Sequence, residues 1–170
     1  LFKKNNNLIV IAATFKFSKS QRVNINYKDL VKHFGDRIDI TPIEVREAVI
    51  AIRSAKLPDY NMVGTAGSYF KNPIVSDEKA LELQRDYQDL PVYPLNEEGI
   101  KISAAYLIDK VLNLKDFHLG LAYTYSKQAL VLCAEFGAKA EDVLALSEFI
   151  KKKVFEKVGV QLEEEVEYVS

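Results

Sequence analysis

Between positions 64 and 73 the chain reads Gly64-Thr65-Ala66-Gly67-Ser68-Tyr69-Phe70-Lys71-Asn72-Pro73. Two aliphatic hydroxyls, an ammonium and an amide stand among two glycines. Glycine lets a backbone approach a ligand, and these polar groups suit the oxygens of a phosphate or a sugar. The run is not a P-loop, because no Gly-Lys-Ser/Thr closes it. Composition leaves two readings open, a ligand-binding loop or an ordinary structured connection.

The C-terminal residues hold a second candidate. Alternation puts Val160, Leu162, Glu164, Val166 and Tyr168 on one side of a strand, with Gln161, Glu163, Glu165 and Glu167 on the other. A carboxylate among four apolar neighbours is costly unless paired or protonated, so burial singles out Glu164 and leaves Glu165 at the surface. The alternative is a bulge or an edge position that lets Glu164 reach water. Lys151, Lys152 and Lys153 point in different directions on a helix and read as a solvated face. His33 and His118 have no second histidine at ligand spacing, so no metal site is expected. Cys133 stands alone in an apolar strand and reads as an inert small hydrophobe.

These groups need a scaffold. The β-branched and aromatic run 8–17 predicts a strand, and 29–33 a short helix stopped by Gly35. Thr41-Pro42-Ile43-Glu44 is a capping box with Pro at the first helical position, which predicts a helix over 42–55 burying Val45, Ala48, Val49 and Ile52. Periodicity vanishes over 57–73, a long loop punctuated by Pro58, Gly64, Gly67 and Pro73. Ser76 caps a helix to about Tyr87. Strands over 91–95 and 100–102 are joined by an Asn96-Glu97-Glu98-Gly99 turn. Ser103 caps a helix to about Val111, 129–133 is a buried strand, 140–158 a long helix and 160–169 a closing strand. No regular strand–helix alternation of parallel type appears, so the expected class is α+β with a largely antiparallel sheet and several packed helices.

The chain has 170 residues, 48% hydrophobic and 28% charged, enough for about one domain with a sizeable core. A formal charge of -1 provides no bulk basic field for nucleic acid or an anionic membrane. The longest apolar run is far short of the ~20 residues a membrane helix needs. One cysteine permits no internal disulfide and suits a reducing compartment, so a cytoplasmic protein is expected. The first residue is Leu1, which reads as a chain cut at its N-terminus.

The 67–73 run Gly-Ser-Tyr-Phe-Lys-Asn-Pro, preceded by Lys56-Leu57-Pro58 and followed far downstream by Leu162-Glu163-Glu164-Glu165-Val166, resembles the UDP-N-acetylenolpyruvoylglucosamine reductases. The similarity extends through Tyr93-Pro94, Tyr106-Leu107-Ile108-Asp109, Gln128-Ala129-Leu130-Val131-Leu132 and Glu141-Asp142-Val143. It is greatest to the subtype with an extra insertion in the substrate domain. The resemblance implies an FAD- and NADPH-dependent enzyme that makes UDP-N-acetylmuramic acid for peptidoglycan. NADPH reduces the flavin, and a hydride then reaches the methylene carbon of the enolpyruvyl ether. A proton must follow at the neighbouring carbon. The family's donor is the serine that matches Ser68, and the glutamate that stabilises the enol matches Glu165, so the resemblance favours Glu165 over Glu164. Many relatives carry proline where this chain has Glu164, which implies an edge or irregular strand.

The same transfer assigns Lys56, Asn72, Tyr93, Lys115 and Gln128 to the substrate, UDP-N-acetylglucosamine enolpyruvate. Lysines suit its diphosphate, amides its uracil or phosphate oxygens, and an aromatic ring can close over it. Surface placement is the alternative for Lys115 and Gln128. Tyr69 replaces the family's usual phenylalanine and is expected to be harmless. The implied organisation is a strand over 1–18 left from an N-terminal FAD domain, a connecting segment and helix over 19–58, and a substrate domain over 59–170. No FAD- or NADPH-binding residue is expected within the chain, which alone should bind no cofactor and turn nothing over. An unpaired 8–17 strand would invite self-association. A non-catalytic nucleotide-sugar binding module and a structural interaction domain are the rival readings.

Overall fold

The computed structural model describes residues 9–19, 23–95 and 99–168. The chain divides into two units, Leu1–Ile50 and Ala51–Ser170. In the first, α1 (Lys28–Phe34) stops at Gly35, whose φ of 58° is a left-handed conformation that glycine adopts without a Cβ clash. The capping box opens α2 (Pro42–Lys56) as expected: Thr41 N–H donates to Glu44 Oε2 at 2.9 Å, and Glu44 N–H donates to Thr41 Oγ1 at 3.3 Å. The Thr41 backbone N–H and then Arg37 hold the Glu44 carboxyl at about 2. Ala48 is buried and Val45, Val49 and Ile52 are half-buried, the face the periodicity predicts.

The 8–17 strand does not form over the described residues 9–17, and Leu8 lies outside them. Ile9, Val10, Ile11, Phe15 and Phe17 are exposed. A strand exists only through a ladder, and no described segment pairs with this one.

The second unit carries two antiparallel sheets, so the α+β expectation holds. β1 (Gly64–Ser68), β7 (Gln128–Ala134), β6 (Ala122–Tyr125) and β5 (His118–Leu119) form one, in that spatial order. β2 (Ile74–Val75), β4 (Gly99–Ile102) and β3 (Val92–Leu95) form the other. Residues 96–98 of the expected turn lie outside the described residues. Ser76 caps α3 (Asp77–Asp86) by accepting the Lys79 N–H. Ser103 caps α4 (Ala104–Tyr106), which continues as a π-helical turn, Leu107–Val111. α5 (Ala140–Val158) packs on β5, β6 and β7 and sinks Leu146, Ile150 and Val154 into a core with Phe70, Ile108 and Leu132. Each such side chain contributes roughly 1.5–3 kcal/mol.

Two expectations are corrected, and one hairpin is added to them. The 57–73 stretch is not all loop, because β1 lies in it and pairs with β7. A glycine-rich strand has too few side chains for periodicity to reveal it. The hairpin of β5 and β6 had not been anticipated from the sequence. Over 160–168 there is only an isolated bridge, Phe70 opposite Glu164, rather than a continuous strand. The alternation nevertheless persists: Val160 and Leu162 are buried, Glu164 and Val166 half-buried, and the residues between them exposed. Val169 lies outside the described residues.

Candidate functional site

Ser68 ends β1 directly after a β-bulge. Thr65 pairs with Cys133 and Ser68 with Val131, so three steps on β1 match two on β7. Gly67 supplies the φ of 79° that the extra residue demands. Thr65 braces the bulge, its Oγ1 donating to Leu132 O at 2.8 Å and accepting the Gly67 N–H at 3.1 Å. Alternation of exposure runs through the bulge to Tyr69 and breaks only at Phe70: Ser68 is exposed, and Tyr69 and Phe70 after it are both buried. Ser68 is thus on the exposed side of β1, while the next two rings anchor the backbone.

Two segments flank these anchors. Tyr69 N–H donates to Leu130 O of β7 at 2.9 Å. On the opposite side Glu165 N–H donates to Tyr69 O and Lys71 N–H donates to Glu163 O, both at 2.8 Å. Residues 163–165 therefore run antiparallel beside 69–71, and Glu165 stands opposite the residue that follows Ser68. Gln128 begins β7 two residues before Leu130, half-buried, and pairs with Tyr125 of β6. The Tyr125 hydroxyl donates to Leu57 O at 3.4 Å, next to Lys56 at the end of α2. Ser68, Glu165, Gln128 and Lys56 thus sit on segments linked by hydrogen bonds.

The other three expected residues stand on different elements. Asn72 Oδ1 accepts the Ala104 N–H at 2.9 Å, so it caps α4 and presents its amide nitrogen as the remaining donor. Tyr93 is exposed on β3, opposite Lys101. Lys115 Nζ is 3.3 Å from Asp109 Oδ2, so its surface reading is accompanied by an ion pair. A groove of about 430 Å³ runs past Lys71, Asn72, Pro73 and Gln161, and neither Ser68 nor Glu165 lines it.

Glu164 is the buried-side carboxylate that alternation singled out. Its Oε1 accepts from Ser147 Oγ at 3.1 Å and Lys151 Nζ at 3.0 Å, both on α5. Burial alone would push this carboxyl up. The Lys151 hydrogen bond, its own backbone N–H and the Ser147 hydroxyl together outweigh burial and hold it below the ordinary value. Lys151 is raised in turn, by Glu148 first and then by Glu164. The solvated-face reading of the three lysines is corrected at this one: Lys152 is exposed and Lys153 half-buried, both pairing with Glu156, but Lys151 turns toward Glu164. Periodicity of α5 carried the signal, since Ser147 and Lys151 are one turn apart.

The Tyr69 hydroxyl lies 2.7 Å from the Tyr168 hydroxyl, a pairing that could not be read from the sequence. Burial and then Tyr168 push the Tyr69 phenol up. Burial likewise raises the Cys133 thiol, which fits an inert side chain. Among the described residues no cluster of three or more His, Cys, Asp or Glu could hold a metal, and no helix is long and apolar enough to cross a membrane.

Comparison with known proteins decides the family. The family model described as UDP-N-acetylenolpyruvoylglucosamine reductase, C-terminal domain, matches residues 58–169. The chain belongs to the UDP-N-acetylenolpyruvoylglucosamine reductase family. Proteins of that name are similar along most of this chain: 38% identical over 168 residues in Photorhabdus laumondii, covering 99% of this chain and 48% of the relative. The reductase of Bacteroides fragilis is 37% identical over 175 residues, covering 99% and 51%, and that of Escherichia coli K12 is 39% identical over 160 residues, covering 94% and 46%. The chain spans about half the length of the curated relatives it matches. The reductase C-terminal domain match takes in Ser68 and Glu165 together and begins just after Lys56.

Proposed function

We propose that this chain is the substrate-binding portion of a UDP-N-acetylenolpyruvoylglucosamine reductase, acting on UDP-N-acetylglucosamine enolpyruvate in peptidoglycan synthesis in the cytoplasm, with residues 59–170 as the substrate domain. The observation that carries the reading is the 2.8 Å bond from Glu165 N–H to Tyr69 O, which sets a carboxylate-bearing segment beside the serine-bearing end of β1. Ser68 is the proton donor in this reading, and Glu165 stabilises the enol. Lys56, Asn72, Tyr93, Lys115 and Gln128 hold the nucleotide sugar.

FAD and NADPH belong to a further, N-terminal domain in this reading. The described residues do not fit a dinucleotide cradle: Gly64 and Gly67 lie in a strand paired with β7, not in a turn that opens a helix. A flavin held by that further domain would supply hydride chemistry at the methylene carbon of the enolpyruvyl ether. The Ser68 hydroxyl then gives its proton to the carbon next to the carboxylate. A hydroxyl is a weak acid, but a carbanion-like centre is a strong base, and a positioned donor contributes ~10²–10⁴-fold. A bulge-fixed backbone and two buried rings keep that hydroxyl in place.

Calorimetric titration with UDP-N-acetylglucosamine enolpyruvate tests the binding half. Asn72→Asp keeps the oxygen that caps α4 and removes the amide donor, so weaker binding without loss of stability is the expected result. Unaltered binding would remove Asn72 from the site. In the full-length, flavin-loaded protein Ser68→Ala should abolish flavin reoxidation by substrate and spare reduction by NADPH. Surviving reoxidation would remove Ser68 from the role of proton donor.

A further inference from the structure

We propose that Ser147, Glu164 and Lys151 form a latch that positions Glu165, holding the C-terminal segment on α5 so that the neighbouring carboxylate keeps its place beside the Ser68 end of β1. The inference rests on the enol-stabilising reading of Glu165.

The 160–168 segment has little ladder of its own to hold it. Phe70 and Glu164 face each other as a non-hydrogen-bonded pair, because the bonds on either side run from Lys71 to Glu163 and from Glu165 to Tyr69. A single pair of backbone bonds leaves such a segment free to open locally. Glu164 adds two side-chain bonds to a rigid helix. Ser147 is fully buried, and the side chains of Glu164 and Lys151 are 18% and 29% exposed, so these bonds face little competition from water. The Lys151 bond is charge-assisted, the stronger class.

Position matters as much as strength. Glu165 lies between two anchors, Glu164 on α5 and Tyr168 on the Tyr69 hydroxyl. With both ends fixed, the exposed residue between them has few ways to turn. Alternation puts Glu165 on the face opposite the latch, so Glu164 acts on it through the backbone and needs no contact with substrate. Lys151 is shared with Glu148, 2.8 Å away, which holds the ammonium on the helix face it needs.

The first test is amide exchange on the chain itself. Losing a charge-assisted bond should speed exchange of the Glu165 N–H about tenfold or more in Glu164→Gln and in Lys151→Met. Lys151→Arg should retain protection, and the Tyr69 N–H, bonded to Leu130 O, should stay protected in all three. Unchanged Glu165 exchange in Glu164→Gln would overturn the latch.

The second test uses the full-length, flavin-loaded protein. Glu164→Gln should slow flavin reoxidation by substrate about tenfold or more, with KM and reduction by NADPH unchanged, since small misplacement of a reacting group costs that much. In a Glu165→Gln background the same substitution should add nothing. An additive loss would overturn the positioning role. Should Glu165→Gln by itself leave reoxidation intact, the reading of Glu165 fails and takes the purpose of the latch with it. Amide exchange, which needs no turnover, separates that outcome from failure of the latch.

Discussion

Residues 9–17 and 160–168 both carry the apolar, β-branched pattern of a strand, and neither forms a continuous one. Their surroundings differ completely. In the first, Ile9, Ile11 and Phe17 are 86%, 94% and 85% exposed; in the second, Val160 and Leu162 are each 3% exposed. The C-terminal segment has partners on two sides, backbone bonds to 69–71 and the α5 latch, whereas among the described residues none pairs with 9–17. Strand pattern therefore states only what a segment can become. Whether it is held depends on groups distant in sequence, which here are Phe70, Ser147 and Lys151.

The largest effect that could break this contrast comes from Leu162→Ala. Truncating a side chain this buried should cost about 2–5 kcal/mol, read as a drop in the denaturation midpoint of the chain. A loss below ~1 kcal/mol would mean that the segment is no better anchored than 9–17.

Lys151→Met should cost less, about 1–2 kcal/mol near neutral pH, because it leaves the Glu164 carboxylate with the Ser147 hydroxyl and its own N–H. The pH dependence gives the sign. Glu164 is held below its ordinary 4.5, so its contribution is present above that value and is lost as pH falls through the folded one. The difference between the two proteins should therefore shrink as the solution is acidified. A difference constant from neutral to acid pH would put the stabilisation in packing of the lysine stem instead.

Much of this contrast was legible before any coordinates, and the rest had a physical reason not to be. Alternation over 160–168 singled out Glu164 as a carboxylate in need of a partner, and the structure supplies one. It could not name Lys151, because three adjacent lysines look alike until the helix is set against a neighbour. Local chemistry marked α2, α3 and α5 well, since capping residues and 3.6-residue periodicity are carried by the helix itself. β1 was hidden for the converse reason: Gly64-Thr65-Ala66-Gly67-Ser68 has almost no apolar side chain, and only β7 makes it a strand. At the site the order is reversed. Resemblance named Ser68 and Glu165, whereas the bulge at Gly67 and the cap that Asn72 gives to α4 came from geometry alone.

Tyr168→Phe sharpens the comparison further. It removes one hydroxyl from the pair with Tyr69 and should cost about 0.5–1.5 kcal/mol, with little change in the exposed ring. A larger cost would show that the Ser147 hydroxyl, which also acts on the Tyr69 phenol, does not make up for the loss of Tyr168.

The smallest change in stability belongs to the other segment. Ile11→Lys replaces an exposed side chain that nothing described covers, so the denaturation midpoint should move by no more than ~0.5 kcal/mol. Its effect should instead appear between molecules. An apolar run with unpaired backbone donors and acceptors is a template for another copy, and lysine on such an edge is a common way to blunt it. Sedimentation over a range of concentrations should show wild-type chain shifting toward dimer, with Ile11→Lys shifting less. Equal behaviour of the two would show that this run does not carry the self-association proposed for it. A large loss of stability would be the more informative failure, because Ile11 would then have to be buried in solution, and the contrast between the two segments would be gone.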